Sequence, residues 1–248
     1  MTPPSGSSAI RPKMQRVLAG PGSGKTRLLI QQMVARLQKG ILPSAILGVT
    51  FTRRAAKEMR DRLAKSGQRV PWLGTFHALA FRILSEAGLL QKPVNLEALI
   101  PDATTTLRDG KVPEWLQEVA YIAVDEAQDL DARQVEFLQV LCALTKAEIL
   151  LVGDSDQAIY GFREASARFL LDAPNVFAQH QVETLILTHN HRSAQHIVQT
   201  AKALLSPTAG PLSPCHQLTS IRPEAHPAVR WITTSSPQTE AVRIFEEV

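Results

Sequence analysis

The sequence contains little cysteine, since Cys142 and Cys215 are the only two in 248 residues. Two cysteines so placed provide neither a disulfide framework nor the spacing of a zinc site. Cys142 lies in an apolar helical pattern typical of a small core residue. Cys215 lies in a proline-rich stretch beside His216, where a metal site would lack further ligands. The scarcity favours a reducing compartment, and we expect a cytoplasmic protein.

Long apolar runs are also absent. The run at 148–153 (EILLVG) is among the longest, and it is far too short to cross a bilayer, so we expect no membrane partner. No basic segment followed by an apolar one opens the chain. Residues 1–13 are rich in proline, serine and glycine, which predicts a flexible leader. The formal charge of +4 permits a polyanionic partner without requiring one.

Short apolar segments instead alternate with amphipathic ones for most of the length. The predicted strands are 16–19, 45–51, 72–75, 121–125, 148–153 and 182–187. The predicted helices are 25–39, 53–65, 76–87, 132–145, 164–171 and 193–205. Continuous apolar strands suit a parallel sheet covered by helices on both faces. We therefore predict an α/β, doubly wound domain over residues 14–205.

Two proline-rich regions interrupt this alternation. Within 86–118 we expect a short, loop-rich insertion that holds one short helix at most. Residues 206–228 predict a linker. The last stretch, 229–248, has one strand pattern and one helix pattern, which cannot form a core together. We interpret it as the truncated beginning of a second domain.

The segment 19–26 (AGPGSGKT) has the pattern of a phosphate-binding loop between a strand and a helix. Glycines on either side of Ser23, Gly22 and Gly24, let backbone N–H groups turn towards phosphates. Lys25 would reach the β- and γ-phosphates, and the Thr26 hydroxyl would bind Mg²⁺. The strict pattern has glycine where Ala19 stands. The alternative is a glycine-rich turn that binds nothing.

A second polar site follows the apolar strand at 121–125. Asp125 suits Mg²⁺, directly or through water, and Glu126 is placed to act as a general base. The alternative is a pair of solvated acids that cap the next helix. A third strand ends at Gly153 and Asp154, with Gln157 close behind. Ends of parallel strands meet at one edge of a sheet, which is the expected ligand position.

Six segments in order carry a narrower resemblance. They are 19–29 (AGPGSGKTRLL), 46–63 (ILGVTFTRRAAKEMRDRL), 74–84 (GTFHALAFRIL), 123–129 (AVDEAQD), 151–165 (LVGDSDQAIYGFREA) and 187–198 (LTHNHRSAQHIV). The chain resembles the superfamily-one DNA helicases of the UvrD/Rep/PcrA type over residues 14–200, and weakly over 229–248. AddA- and RecB-like relatives share this signature. The resemblance implies a RecA-like P-loop NTPase fold, with ATP and Mg²⁺ as cofactors and single-stranded DNA as partner.

The resemblance also implies residue roles in the nucleotide site. Gln157 matches a γ-phosphate sensor, and Arg192 matches the arginine that neutralises charge in phosphoryl transfer. Together with Lys25 and Glu126 they would form the catalytic set. Arg27 matches a residue near adenine, although a surface helix charge explains it nearly as well. His191 stands where the family has a tyrosine that stacks on adenine.

A further set matches positions that face DNA: Phe51, Thr52, Arg53, His77, Phe162 and Arg163. Phe162 stands where the family usually has tryptophan, and its ring can stack on a base. Arg163 would help to couple DNA and nucleotide. The alternatives are a solvated helix face around Arg53, a core histidine at 77, and simple packing of Phe162.

The sequence departs from the family in three further respects. The family's glutamine motif, which recognises adenine, should lie well upstream of the phosphate loop. Gln15 is too near the loop to match it, so the usual basis of adenine selectivity is missing. The segment 86–118 stands where the family inserts a large helical domain. The second motor domain, which completes the ATP site, is missing, so we expect a fragment of a longer protein that binds nucleotide weakly and hydrolyses it poorly.

These patterns predict an ATP hydrolase, the ATP-binding half of a DNA helicase or translocase. The alternative is a nucleotide-controlled DNA-binding or regulatory ATPase that does not unwind. A P-loop kinase is disfavoured, because the segments at 50–56, 74–80 and 151–165 have no role in one.

Overall fold

The computed structural model describes residues 12–158, 167–207, 209–222 and 233–240. The predicted DNA-facing residues Phe162 and Arg163 lie outside these ranges. So do most of the strand and helix patterns that we interpret as the start of a second domain.

A parallel sheet forms the centre of the fold. Its six strands are β1 (Lys13–Ala19), β2 (Ile46–Thr50), β3 (Trp72–Thr75), β4 (Tyr121–Val124), β5 (Glu148–Gly153) and β6 (Gln181–Leu187). Their order is β3-β2-β4-β5-β1-β6, and all neighbouring strands in this sheet pair in parallel. All six carboxyl ends therefore meet at one edge, which is where loops can build a site.

Helices cover both faces of this sheet. The longer ones are α1 (Lys25–Gln38), α2 (Arg53–Lys65), α3 (Phe76–Glu86), α4 (Leu96–Arg108), α6 (Ala132–Thr145) and α9 (Gln195–Leu205), and the four-residue ones are α5 (Glu114–Gln117), α7 (Arg168–Leu171) and α8 (Ala173–Val176). Successive strand residues point to opposite faces. Ile122 and Val124 thus join the core under α3, α4 and α6, whereas Ala123 joins the core under α1 and α2. The predicted α/β fold is confirmed.

The expected loop-rich insertion at 86–118 needs correction, because α4 runs for 13 residues. Asn95 caps its start by accepting a hydrogen bond from the Glu97 N–H at 3.0 Å. The helix contains Pro101, which removes one backbone hydrogen bond. Leu99, Ile100, Ala103 and Leu107 are nevertheless buried against α3 and α6. Tertiary packing therefore outweighs the unfavourable propensity of proline.

The expected linker at 206–228 also needs correction. It contains a 3₁₀ turn at Pro214–His216 and the strand β8 (Thr219–Arg222). β8 pairs in parallel with β7 (His189–Ala194), forming a second, two-stranded sheet, and the helix predicted over 193–205 begins two residues later, at Gln195. The turn is held by a hydrogen bond from Ser213 Oγ to Asp156 Oδ2 at 2.6 Å. Within the described ranges, no helix is long and apolar enough to cross a membrane.

Candidate active site

A cleft of about 340 Å³ opens at the carboxyl edge of the central sheet. Its lining residues come from five separate parts of the chain: 20–27, Arg62, Glu126, Gln157, and the pair His191 and Arg192. Every residue predicted for catalysis or ATP binding lines this cleft. The predicted metal ligand Asp125 does not line it, but is the buried neighbour of Glu126.

The phosphate loop has the backbone geometry that its glycines predict. Gly22 and Gly24 have φ values of +68° and +91°, in the left-handed region that glycine enters without strain. The buried Ser23 donates its hydroxyl to the Gly20 carbonyl oxygen at 2.6 Å. No described side chain caps the start of α1 at Gly24. The first N–H groups of this helix therefore remain available to an anion, and the helix dipole favours one there.

Lys25 already lies against a carboxylate. Its Nζ donates to the Ala19 carbonyl oxygen at 3.1 Å and lies 3.7 Å from Asp154 Oδ2. The same carboxylate oxygen accepts a hydrogen bond from Gln157 Nε2 at 2.6 Å. Burial raises the pKa of Asp154, and the ammonium of Lys25 opposes that rise. Lys25 and Gln157 thus share one partner, so a phosphate that attracts Lys25 competes with Asp154.

The two carboxylates after β4 have different environments. Burial, helped by the negative charge of Glu126, raises the pKa of Asp125 to about 6. Its Oδ1 is buried without a hydrogen-bond partner among the described residues. Glu126 is half-buried, lines the cleft and has a φ of 52°, a left-handed conformation that is strained for a residue with a side chain. Such strain is commonly retained at functional turns.

These residues fit a magnesium ion. Thr26 offers a hydroxyl in the cleft, and Asp125 offers a carboxylate oxygen that lacks a hydrogen bond. Within the described residues, no group of three histidine, cysteine, aspartate or glutamate side chains can hold a metal. Magnesium typically uses one or two protein oxygens and takes the rest from phosphates and water. Thr26 and Asp125 would therefore hold it together with the nucleotide.

Gln128 has a central place that the sequence analysis missed. This side chain is buried, and its Nε2 donates to Glu126 Oε2 at 3.0 Å. Its Oε1 accepts from the Asp154 N–H at 2.9 Å. The amide therefore joins the loops after β4 and β5, and so links Glu126 to the carboxylate that Gln157 and Lys25 share. Gln128 lies inside the quoted AVDEAQD segment, but only the structure shows that it is buried.

Arg62 is the second residue that the sequence analysis missed. It lies in the last turn of α2 and lines the cleft, while pairing with Glu58. With Lys25, Arg27 and Arg192 it makes four cationic side chains against the single carboxylate of Glu126. Such an excess of positive charge favours a polyphosphate ligand. No signal in the sequence separates Arg62 from the solvated charges of the same helix.

The strand β7 brings His191 and Arg192 to the phosphate loop. The His191 N–H donates to the Gly22 carbonyl oxygen at 2.8 Å. Both side chains are exposed at the cleft. A Cβ added at Gly22 would lie only 2.7 Å from Arg192 Cβ. Glycine at this position therefore serves two purposes, the left-handed turn and the close approach of β7.

We expect Gly22→Ala to damage both folding and nucleotide binding. The left-handed φ alone costs about 1–2 kcal/mol, and the contact with Arg192 forces a further displacement. Gly40→Ala is the matched control, because Gly40 has a φ of +89° and nothing within 4 Å of an added Cβ. Thermal unfolding and nucleotide titration should show a larger loss for Gly22→Ala in both measurements. Equal losses in the two variants would contradict this expectation.

The predicted DNA-facing residues that the structure describes lie beside the cleft, after β2 and β3. Thr52 and Thr75 cap α2 and α3, and β2 and β3 pair with Thr50 opposite Thr75. The side chains of Thr52, Arg53 and His77 are exposed. Phe51 differs, because it is partly buried and its ring meets that of Phe76 edge-on at 6.1 Å. Only part of its ring is therefore available to a base.

Comparisons with known proteins identify a family and relatives of this chain. The family model AAA_19, described as an AAA domain, matches residues 6–163. ATP-dependent DNA helicase PcrA of Leuconostoc citreum is 26% identical, over 77% of this chain and 37% of its own length. DNA helicase II of Escherichia coli (strain K12) is 29% identical, over 79% of this chain and 39% of its own length.

A solved structure, that of PRRSV helicase, covers 85% of this chain and 36% of its own chain, with a TM-score of 0.44 and 16% identity. The chain spans 37–39% of the length of the two curated relatives described above. Those relatives confirm the resemblance to PcrA-type helicases that the six segments carry. Since the family model matches well over half of the chain, the chain belongs to the AAA_19 family of AAA domains.

Proposed function

We propose that this chain is the ATP-binding part of an ATP-dependent DNA helicase or translocase, which hydrolyses ATP with Mg²⁺ as it moves on single-stranded DNA. One observation carries the proposal. A single cleft collects a phosphate loop, a strand-end carboxylate, a glutamine and an arginine from distant parts of the chain. A protein that only binds nucleotide needs no such hydrolytic set. The PcrA and DNA helicase II relatives support the DNA partner.

Each residue of the set has a role that its position supports. The N–H groups of the loop and of the first turn of α1 bind the β- and γ-phosphates, and Lys25 neutralises their charge. Glu126 accepts a proton from the attacking water. Gln157 contacts the γ-phosphate, and Arg192 stabilises the charge that develops on it. Bound Mg²⁺ would add Lewis-acid polarisation of the phosphate oxygens.

The sheet order supports coupling between ATP and DNA. β4, which carries Asp125 and Glu126 at its end, lies directly beside β2, which leads into Thr52 and Arg53. Neighbouring strands are about 4.8 Å apart. We propose that Thr52, Arg53 and His77 contact the DNA backbone.

A second motor domain, in the same or a longer chain, would complete both sites. The buried free thiols of Cys142 and Cys215 support a cytoplasmic location.

The proposed DNA face predicts that Arg53→Ala weakens binding to single-stranded DNA. The plot of log K against log salt has a negative slope, and the loss of one phosphate contact makes that slope less steep by about 0.7. Binding of a labelled oligothymidylate should be titrated at several salt concentrations, together with its stimulation of ATP hydrolysis. Arg69→Ala is the control, because exposed Arg69 precedes β3 at the opposite edge of the sheet. An unchanged salt slope in Arg53→Ala would remove Arg53 from the DNA site.

A nucleotide-controlled DNA binder or regulatory ATPase remains the second candidate. The observation that favours it is the short segment between α3 and β4, where α4 and α5 pack directly onto the core instead of extending into a large domain. Strand displacement measured beside ATP turnover under the same conditions separates the two functions. DNA-stimulated turnover without displacement, in the presence of a complete second motor domain, would favour the regulatory protein.

A further inference from the structure

Asn190 stands out in β7 because it is buried between exposed neighbours. Its side chain is 2% exposed, whereas His191 and Arg192 are exposed. Both ends of its amide are used. Nδ2 donates to the Pro21 carbonyl oxygen at 2.7 Å, and Oδ1 accepts from the N–H groups of Arg192 and Ser193 at 2.8 and 2.7 Å.

This amide joins two segments that are 169 residues apart in sequence. On one side it holds the phosphate loop through Pro21. On the other it fixes the backbone from which the Arg192 side chain starts. A planar amide with three hydrogen bonds has little freedom to rotate, so the loop and the Arg192 backbone keep a set separation. The His191 N–H bond to Gly22 reinforces the same contact.

β8 supports this arrangement through hydrogen bonds to the backbone on either side of Asn190. Arg222 Nε donates to the His191 carbonyl oxygen at 3.1 Å, and the Thr219 N–H donates to the Thr188 carbonyl oxygen at 2.8 Å. A Cβ on Gly22 would also meet the Asn190 amide at 3.0 Å. The loop and β7 are therefore in direct contact.

We propose that Asn190 is a positioning residue that holds Arg192 where it can contact the terminal phosphate of a nucleoside triphosphate. The inference rests on the proposed function, in which Arg192 contacts the γ-phosphate. A diphosphate has no γ-phosphate for Arg192 to contact, so Arg192 adds nothing to its binding affinity. Asn190 thereby determines the preference of the cleft for triphosphate over diphosphate, while Lys25 and the loop N–H groups bind both.

The test is the ratio of affinities for ATPγS and ADP, measured by titration calorimetry with Mg²⁺. Asn190→Asp keeps the size and the acceptor oxygens but loses the donor to Pro21. The triphosphate preference rests, in this proposal, on a charge-assisted contact between Arg192 and the terminal phosphate, so displacement of Arg192 should lower the ratio about tenfold. ADP affinity should fall as well, because the added carboxylate lies beside the phosphate loop, but it should fall less than ATPγS affinity, since only the triphosphate also loses Arg192. Asn175→Asp is the matched control, because the exposed side chain of Asn175 donates a hydrogen bond to Asp172 and does not line the cleft.

A double-mutant cycle separates positioning from a general structural role. Arg192→Ala alone should lose the triphosphate preference, and adding Asn190→Asp should cause no further loss. Additive losses, or an unchanged ratio in Asn190→Asp, would overturn the inference. If Asn190→Asp unfolds, Asn190→Ser replaces it, since a serine hydroxyl can accept the following N–H groups but does not reach Pro21. Asn190→Ser should show the same fall in the ratio.

The outcome for the unaltered chain distinguishes this inference from the proposed function. A chain that binds neither nucleotide would overturn the proposed function, and the inference with it. A chain that prefers ATPγS, together with an Asn190→Asp variant that keeps the preference, would overturn the inference alone.

Discussion

In a protein that contains the second motor domain, replacing Lys25 with alanine is expected to lower kcat for ATP hydrolysis by about 10²–10³ or more, which is the usual effect of removing one donor to developing negative charge. Lys25 lies at the start of α1 and its side chain is only 12% exposed. In the absence of this ammonium, the γ-phosphate loses its nearest fixed cation in the loop. ATPγS binding should weaken as well, because in the proposed function Lys25 would also contact the bound phosphates in the ground state.

The control for Lys25→Ala is Lys39→Ala. Lys39 is exposed at the other end of the same helix, so its removal tests the loss of a lysine without touching the cleft. Lys25→Ala also removes the ammonium beside the fully buried Asp154, so thermal unfolding should be measured for both variants. ATP turnover by a folded Lys25→Ala protein at the unaltered rate would exclude the proposed chemistry.

The second large effect is expected for Glu126→Gln. Glutamine has the same shape but cannot accept the proton of the attacking water, so kcat should fall by about 10²–10⁴. ATPγS affinity should stay the same or rise, because the change removes the only carboxylate among the described residues that line the cleft. The substitution also tests Gln128, whose Nε2 can still donate to the remaining oxygen at position 126.

Glu118→Gln is the matched control for Glu126→Gln. Glu118 is exposed at the end of α5 and has no ion pair among those that the structure describes. Single-turnover hydrolysis and ATPγS titration should be run on both variants. If Glu126→Gln loses binding and turnover together, Glu126 supports the loop rather than the chemistry.

Local sequence patterns predict most of the central domain. The helices α1, α2, α3 and α6 have periodic apolar residues, and their observed ends agree with the predicted ones within a residue or so. The six sheet strands follow from short apolar runs between turn residues. The residues of the phosphate loop are predicted by its sequence motif, in which each residue type has a physical role at its position.

The remaining features depend on contacts that no local pattern contains. α4 forms despite Pro101 because its apolar face packs on α3 and α6. β7 and β8 form because two polar segments pair with each other across about thirty residues, as His189 does with Thr219. Gln128 and Asn190 are visible in the sequence, but their burial is not. The same applies to Phe51, whose exposure depends on Phe76.

The helix α2 has a further consequence, because its two ends belong to different sites. Arg53 begins the helix beside the proposed DNA face, and Arg62 in its last turn lines the cleft. Arg62 follows Arg53 by nine positions, which corresponds to roughly 13 Å along a rigid helix. Met59 lies buried beneath this rod, and Arg60 ties it to the Leu73 carbonyl oxygen at 2.7 Å. Because a helix moves as one rigid body, a shift of Arg62 within the cleft is accompanied by a shift of Arg53 at the other end.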